Sequence, residues 1–195
     1  MYKLTHDEIK DIFKEMEEYV DTKEIENMKK IITEGPSKPL EILVVDDREE
    51  NIMAAKKAFN KKNLIMDYAN DYEQGLTKLQ TKPYALGIFD LELPRRQGEK
   101  PEKLGFGLAE EAKKYYVDWA IITAGIDHHN CKSAFVKFHY DSPKKEFEEI
   151  TEGPKSDPAT WYDVYTRLVL QYPGIEQNFE SRKRCKEITG KMYRR

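Results

Sequence analysis

The sequence predicts an α/β fold with a five-stranded, doubly wound parallel sheet. Between residues 40 and 170, short continuous apolar runs alternate with segments whose apolar residues have helical spacing. Continuous apolar strands are typical of parallel sheets that helices cover on both faces. Several runs also end on an acidic residue or a threonine, which favours a ligand site at the carboxyl edge of the sheet.

The predicted elements follow one another in a regular order along the chain. The five predicted strands span 41–45, 64–69, 84–90, 119–123 and 134–138. Helical spacing over 50–61, 72–80 and 107–116 predicts helices that connect the first four strands. A last helix is predicted to begin at Asp157-Pro158, because proline suits the first turn of a helix.

Three regions are predicted: a helical extension over residues 1–36, the α/β domain over 38–171, and a basic helix or tail over 172–195. The extension begins with a capping-box pattern at Thr5 to Glu8 and carries apolar residues at helical spacing from Ile9 to Ile32. This apolar face must be covered, either by the chain's own domain or by a second copy in a homodimer.

Composition narrows the classes of protein to consider. With 39% apolar and 35% charged residues, the chain reads as a globular protein with a heavily charged surface. We expect no membrane span, because no apolar run approaches the length of about 20 residues that a bilayer requires. With two cysteines and no signal-peptide pattern, the expected location is the cytoplasm.

The charge is distributed unevenly along the sequence. A net charge of −3 argues against nucleic-acid binding by the protein as a whole. Basic residues nevertheless collect in the stretch 182–195. Such cations can stabilise the end of a helix through its dipole, and a docking or nucleic-acid role of this stretch is the alternative.

Acidic residues end two of the predicted strands. Asp46 and Asp47 end the first strand and Asp90 ends the third. Because the carboxyl ends of parallel strands meet at one edge, these three carboxylates are expected to converge. They would repel one another unless a cation neutralised them, and oxygen ligands of this kind favour Mg²⁺.

Two further side chains complete the predicted site. Thr123 ends the fourth strand and offers a hydroxyl group, and Lys137 lies near the end of the fifth and offers a positive charge. Both groups suit the oxygens of a phosphoryl group. A carboxylate nucleophile, a metal, a hydroxyl and a lysine together indicate phosphoryl transfer onto aspartate.

The pattern resembles the receiver domain of response regulators over residues 40–138, and loosely to 171. Four segments carry the resemblance: Leu43-Val44-Val45-Asp46-Asp47, Phe89-Asp90-Leu91-Glu92-Leu93-Pro94, Ile121-Ile122-Thr123-Ala124 and Phe135-Val136-Lys137. It implies a flavodoxin-like fold and phosphorylation of Asp90 by a histidine kinase or phosphotransfer protein. It also implies Mg²⁺ bound by Asp46, Asp47, Asp90 and the main-chain carbonyl of Glu92, phosphoryl contacts from Thr123 and Lys137, and output through a downstream protein target.

The sequence departs from the family in several places. The loop 95–104 is long, so Gly98 and Gly105 compete as the family's turn glycine, and 139–156 is an insertion. The stretch between Thr123 and Lys137 is too short for a full crossover helix, so that helix is expected to be shortened or absent. Lys144 lies at a more usual separation from the threonine and is the alternative to Lys137, which is preferred because it ends a buried strand pattern.

Other functions remain open at this stage. A degenerate receiver that serves as an unphosphorylated scaffold is one alternative. A phosphatase of the haloacid-dehalogenase type is another, but the Asp-x-Asp-x-Thr motif of that family follows neither acidic strand. A zinc site is disfavoured because the spacing of His128, His129, Cys131 and His139 fits no familiar ligand pattern.

Overall fold

The structure is a computed structural model, which describes residues 6–124, 134–138, 147–151, 153–171 and 174–189. Its strands are β1 Leu40–Val45, β2 Leu64–Ala69, β3 Leu86–Asp90, β4 Leu93–Pro94, β5 Pro101–Glu102, β6 Asp118–Thr123, β7 Ala134–Phe138 and β8 Glu148–Thr151. Six strands form one sheet in the order β2-β1-β3-β6-β7-β8, and β4 pairs with β5 in a separate hairpin. The predicted α/β class is confirmed.

Helices cover both faces of the six-stranded sheet. They are α1 His6–Met16, α2 Thr22–Glu34, α3 Glu49–Ala58, α4 Tyr72–Thr81, α5 Gly105–Lys114, α6 Pro158–Gln171 and α7 Ile175–Thr189. Side chains of β1 alternate between two apolar clusters, because successive residues of a strand point to opposite faces. Ile42 and Val44 pack with α2, α3, α6 and α7, whereas Leu43 and Val45 pack with α4 and α5. None of the described helices is both long and apolar enough to cross a bilayer.

The sheet differs from the prediction in strand number and in the direction of the fifth strand. The first four strands, β2, β1, β3 and β6, are parallel, but β7 runs antiparallel to β6, and β8 runs antiparallel to β7. Only ten residues separate Thr123 from Ala134. Parallel neighbours need a crossover of a dozen or more residues, whereas an antiparallel neighbour can follow through a short connection. The pairing therefore requires no crossover helix between β6 and β7.

The apolar face of the N-terminal extension is covered by the chain's own domain. Ile25, Met28 and Ile31 of α2 are buried in the same cluster as α3 and α6. Tyr162 of α6 donates its hydroxyl to the Ile32 carbonyl oxygen at 2.6 Å, close to the end of α2. Of the two alternatives for this face, coverage by the chain's own domain is confirmed for α2. The homodimer stays a prediction, now without the α2 face as its surface.

Part of the basic C-terminal region stabilises the end of the sheet at which β3 and β6 begin. Arg182 of α7 donates to the Tyr84 carbonyl oxygen at 3.3 Å, and its charge acts on Asp118 at the start of β6. The Lys186 ammonium contacts the Thr81 carbonyl oxygen at the end of α4, where a cation complements the helix dipole. These two cations therefore serve the fold of the chain itself.

The long loop after β3 is a hairpin fastened to α4. Arg96 forms an ion pair with Glu73 at 2.8 Å, and the Gln97 amide donates to the Asp71 carboxylate at 3.3 Å. The two glycines of this region have different roles. Gly98 takes a positive φ of 91° in the hairpin turn, whereas Gly105 packs its α-carbon against the end of β3.

We expect Gly105→Ala to lower the free energy of unfolding by about 3 kcal/mol, because overpacking against backbone atoms cannot relax easily. A β-carbon at this position would lie 2.2 Å from the Asp90 carbonyl oxygen. Gly98→Ala is the matched control. A β-carbon at this position meets no atom within 4 Å, so the loss of stability should come only from alanine at a positive φ and be about 1 kcal/mol. Urea unfolding measures both, and equal losses would contradict the close approach of Gly105.

Candidate functional site

The three predicted acids lie together at the carboxyl edge of the sheet. One carboxylate oxygen from each of Asp46, Asp47 and Asp90 lies within 4.8 Å of the others. They converge because β1 and β3 are parallel neighbours, with Val45 paired to Phe89 just before the acids. Asp46 is fully buried and Asp90 is 7% exposed, whereas Asp47 faces solvent. The cluster is thus accessible from one side.

A buried lysine that the sequence analysis did not select bridges two of these acids. The Lys155 ammonium lies 2.7 Å from Oδ2 of Asp46 and 2.7 Å from Oδ2 of Asp90, and the side chain is 4% exposed. Two opposite charges at hydrogen-bond distance offset the cost of burying this cation. Lys155 is therefore an integral part of the acidic site.

The turn before α6 holds Lys155 in place. The Trp161 indole N–H donates to the Lys155 carbonyl oxygen at 2.5 Å. Thr160 donates its hydroxyl to the Pro154 carbonyl oxygen at 3.0 Å, and Asp157 accepts from the Ala159 amide at 2.9 Å. The predicted start of the last helix at Asp157-Pro158 is confirmed, and these contacts fix the turn to the first residues of that helix.

Lys137, the lysine preferred from the sequence, does not lie at the acids. The pair between Thr123 and Phe135 marks the carboxyl edge of the sheet. Lys137 pairs with Ile121, two residues further inside the sheet. The antiparallel direction of β7 thus carries Lys137 away from that edge. Lys144 lies outside the described residues, as do the histidines and Cys131 of the zinc alternative.

The position of Lys155 follows from the order of the last strands. Because β8 is antiparallel to β7, it runs in the same direction as the first four strands, and Thr151 pairs with Ala134 at the carboxyl edge. Lys155 comes four residues later. A basic residue in a Gly-Pro turn before a capped helix was the available signal. It could be used only once β8 was known to run toward this edge.

Thr123 and Glu92 share a cavity with Asp47, Asp90 and Lys155. The volume of this cavity is about 100 Å³. Such a volume accommodates an ion with a few water molecules. Thr123 is 8% exposed and ends β6 next to β3, as the sequence predicted. The cavity therefore gathers a carboxylate, a hydroxyl and an ammonium group.

The ionisation of the site reflects both burial and charge. Burial raises the pKa of Asp90 to about 7, the Lys155 ammonium opposes this, and Asp46 adds to it. Burial and the neighbouring Asp46 also raise the pKa of Asp47. Burial disfavours the charged form of Lys155, but Asp46 and Asp90 outweigh that cost and raise its pKa. The lysine is therefore a permanent cation at neutral pH.

The set of donors fits a hard divalent cation. Three carboxylates and one ammonium leave the fully ionised site with a net negative charge. Carboxylate oxygens suit Mg²⁺ and similar ions, and Asp47 on the open side gives such an ion access. Asp46, Asp47 and Asp90 are the residues that could hold it. The predicted role of the Glu92 carbonyl as a fourth ligand stays a prediction.

Asn51 is a second residue that the sequence analysis missed. It lies in the first turn of α3, is 4% exposed, and donates to the Asp46 carboxylate. Asparagine is unfavourable inside a helix unless its side chain finds a partner. An asparagine on the buried side of a helix that follows two acids was therefore an available signal.

No family model, curated protein or solved structure matches this chain. The chemistry of the site has to follow from its own geometry.

The raised pKa of Asp90 predicts a specific pH dependence of stability. The folded protein binds this proton up to about pH 7, whereas the unfolded chain releases it near pH 4. The free energy of unfolding should therefore fall by up to about 4 kcal/mol as the pH rises from 4 to 7. Urea unfolding in EDTA tests this against Asp90→Asn, in which the contribution is absent. A constant difference between the two proteins across this range would contradict the assignment.

Removing Lys155 should destabilise the protein far more than removing Lys137. Lys155→Met leaves Asp46 and Asp90 buried without their cation, which we expect to cost about 3–5 kcal/mol at pH 8. The loss should be smaller at pH 5, where Asp90 is protonated. Lys137→Met is the matched control on β7, and equal losses in the two variants would contradict the role of Lys155.

Proposed function

We propose that this chain is a phosphoacceptor of the response-regulator type, which takes a phosphoryl group onto Asp90 with the help of Mg²⁺. The phosphodonor is a histidine kinase or phosphotransfer protein, and the output runs through contacts with a downstream protein. The observation that carries the proposal is the position of Lys155, 2.7 Å from Asp90 in a cavity that Asp47 and Thr123 also line.

The residues of the cavity divide the work of phosphoryl transfer. A carboxylate oxygen of Asp90 attacks phosphorus, the bond from phosphorus to the donor nitrogen breaks, and an acyl phosphate forms on Asp90. Charge then develops on the phosphoryl oxygens, where the Thr123 hydroxyl donates a hydrogen bond and the Lys155 ammonium supplies positive charge. Mg²⁺ bound by the acids would neutralise part of the remaining charge.

The environment of Asp90 suits a nucleophile that is active only when a divalent cation is bound beside it. Burial keeps a proton on this carboxyl group to about pH 7, and a protonated carboxyl group is a poor nucleophile. A divalent cation next to the acids favours the ionised form, because opposite charge lowers a carboxyl pKa. The nucleophile is thus available when the cation is bound.

An unphosphorylated scaffold is the second candidate, and one observation favours it. Lys155 already forms ion pairs with both Asp46 and Asp90, so these buried groups have a cationic partner in a purely structural network. The phosphatase alternative has no comparable support, since the residues after β1 and β3 lack its Asp-x-Asp-x-Thr motif.

Beryllofluoride with Mg²⁺ separates these functions, because it mimics a phosphoryl group on aspartate. Trp161 contacts the backbone of Lys155, so its fluorescence should change when the lysine moves to the bound mimic. Trp119→Phe leaves Trp161 as the single tryptophan and serves as the parent protein.

We expect a saturable change in this protein that is abolished by Asp90→Asn and absent without Mg²⁺. Acetyl phosphate should label the same residue, which mass spectrometry of intact protein detects as one added phosphoryl group. No response to either compound would support the scaffold. Turnover of phosphate esters would support the phosphatase.

A further inference from the structure

The Asn51 amide contacts both oxygens of one carboxylate. Its Nδ2 atom lies 3.0 Å from Oδ1 and 3.2 Å from Oδ2 of Asp46. Both partner atoms are acceptors, so only the NH₂ end of the amide can face them. Asn51 and Asp46 are buried at 4% and 0% exposure. This hydrogen bond is therefore sheltered from water.

Asp46 accepts from three sides. Its Oδ1 also accepts from the Arg48 amide at 3.0 Å, and its Oδ2 lies 2.7 Å from the Lys155 ammonium. Lys155 binds Asp90 at the same time. The orientation of the Asp46 carboxylate thus fixes where the ammonium sits relative to the acceptor residue.

We propose that Asn51 is a positioning residue that acts on the site through Asp46. The inference rests on the proposed function and deepens it. When Lys155 turns toward a phosphoryl oxygen, Asp46 loses its cationic partner but keeps the donors from Asn51 and Arg48. A buried carboxylate held in this way keeps its orientation and presents Oδ2 to a divalent cation.

The chemical type of Asn51 supports this role. A neutral amide donates to Asp46 without adding a charge that would compete with the divalent cation or with Lys155. The neighbouring buried residues of α3 are mainly apolar, Ile52 and Ala55 among them, so a residue needed only for packing would be apolar as well. Residues that orient metal ligands through hydrogen bonds typically change metal affinity by about 10–100-fold when they are removed.

The test compares Asn51→Ala and Asn51→Leu with Lys57→Ala, an exposed position on the same helix. Asn51→Leu keeps the branched shape and the number of heavy atoms of the side chain, and it guards against collapse of the smaller variant. Mg²⁺ alone is the probe, and its dissociation constant is measured by Trp161 fluorescence in the Trp119→Phe protein. We expect Mg²⁺ binding about 10–100-fold weaker in both Asn51 variants and unchanged in the control.

A second readout separates positioning from general stability. Labelling by acetyl phosphate should need a higher Mg²⁺ concentration in the Asn51 variants, while its maximal rate at saturating Mg²⁺ should change by less than about threefold. In an Asp46→Asn background, Asn51→Leu should cause no further loss of Mg²⁺ affinity, because the route through Asp46 is already broken.

Mg²⁺ affinity within twofold of the parent in both Asn51 variants would overturn the inference. An undiminished effect in the Asp46→Asn background would also overturn it. Failure of the proposed function has a different signature. In that case the parent protein itself binds no Mg²⁺ and accepts no phosphoryl group, and the role of Asn51 falls with it.

Discussion

The buried ion pairs of Lys155 with Asp46 and Asp90 constrain the rest of the structure. Each charge would cost several kcal/mol to bury alone, so both carboxylates must stay within hydrogen-bond distance of the Lys155 ammonium. They come from three separate parts of the chain: the ends of β1 and β3 and the turn before α6. The strand order, the close approach of Gly105 and the contacts around the turn all serve to keep these parts together.

The parts of the fold that follow from local patterns could be predicted from the sequence. The bounds of β2 and β7 agree with their apolar runs, and the acids at the ends of β1 and β3 converge because both strands are parallel neighbours. The direction of β7 was predicted wrongly, although the ten-residue connection from β6 was a signal for antiparallel pairing. A buried strand has the same apolar pattern whichever way it runs, and its direction depends on partners distant in sequence.

The direction of β7 explains why Lys137 was wrongly expected at the acids. With β7 assumed to be parallel, Lys137 was expected near the carboxyl edge. Because β7 is antiparallel, Lys137 lies further inside the sheet. The strand that runs with the first four is β8, and Lys155 follows it. The resemblance to receivers implied Lys137 at the acids, with Lys144 as the alternative. The described lysine that contacts the acids is Lys155, in the turn after the antiparallel strands β7 and β8.

The hydrogen bonds of α6 have a mechanical consequence. Trp161 ties the first turn of this helix to the backbone of Lys155, and Tyr162, one residue later, ties it to the last turn of α2. Adjacent residues of one helix move together, so α6 links a displacement at Lys155 to the N-terminal extension. The extension and the acidic edge are thus joined through two neighbouring side chains, although they lie far apart in the sequence.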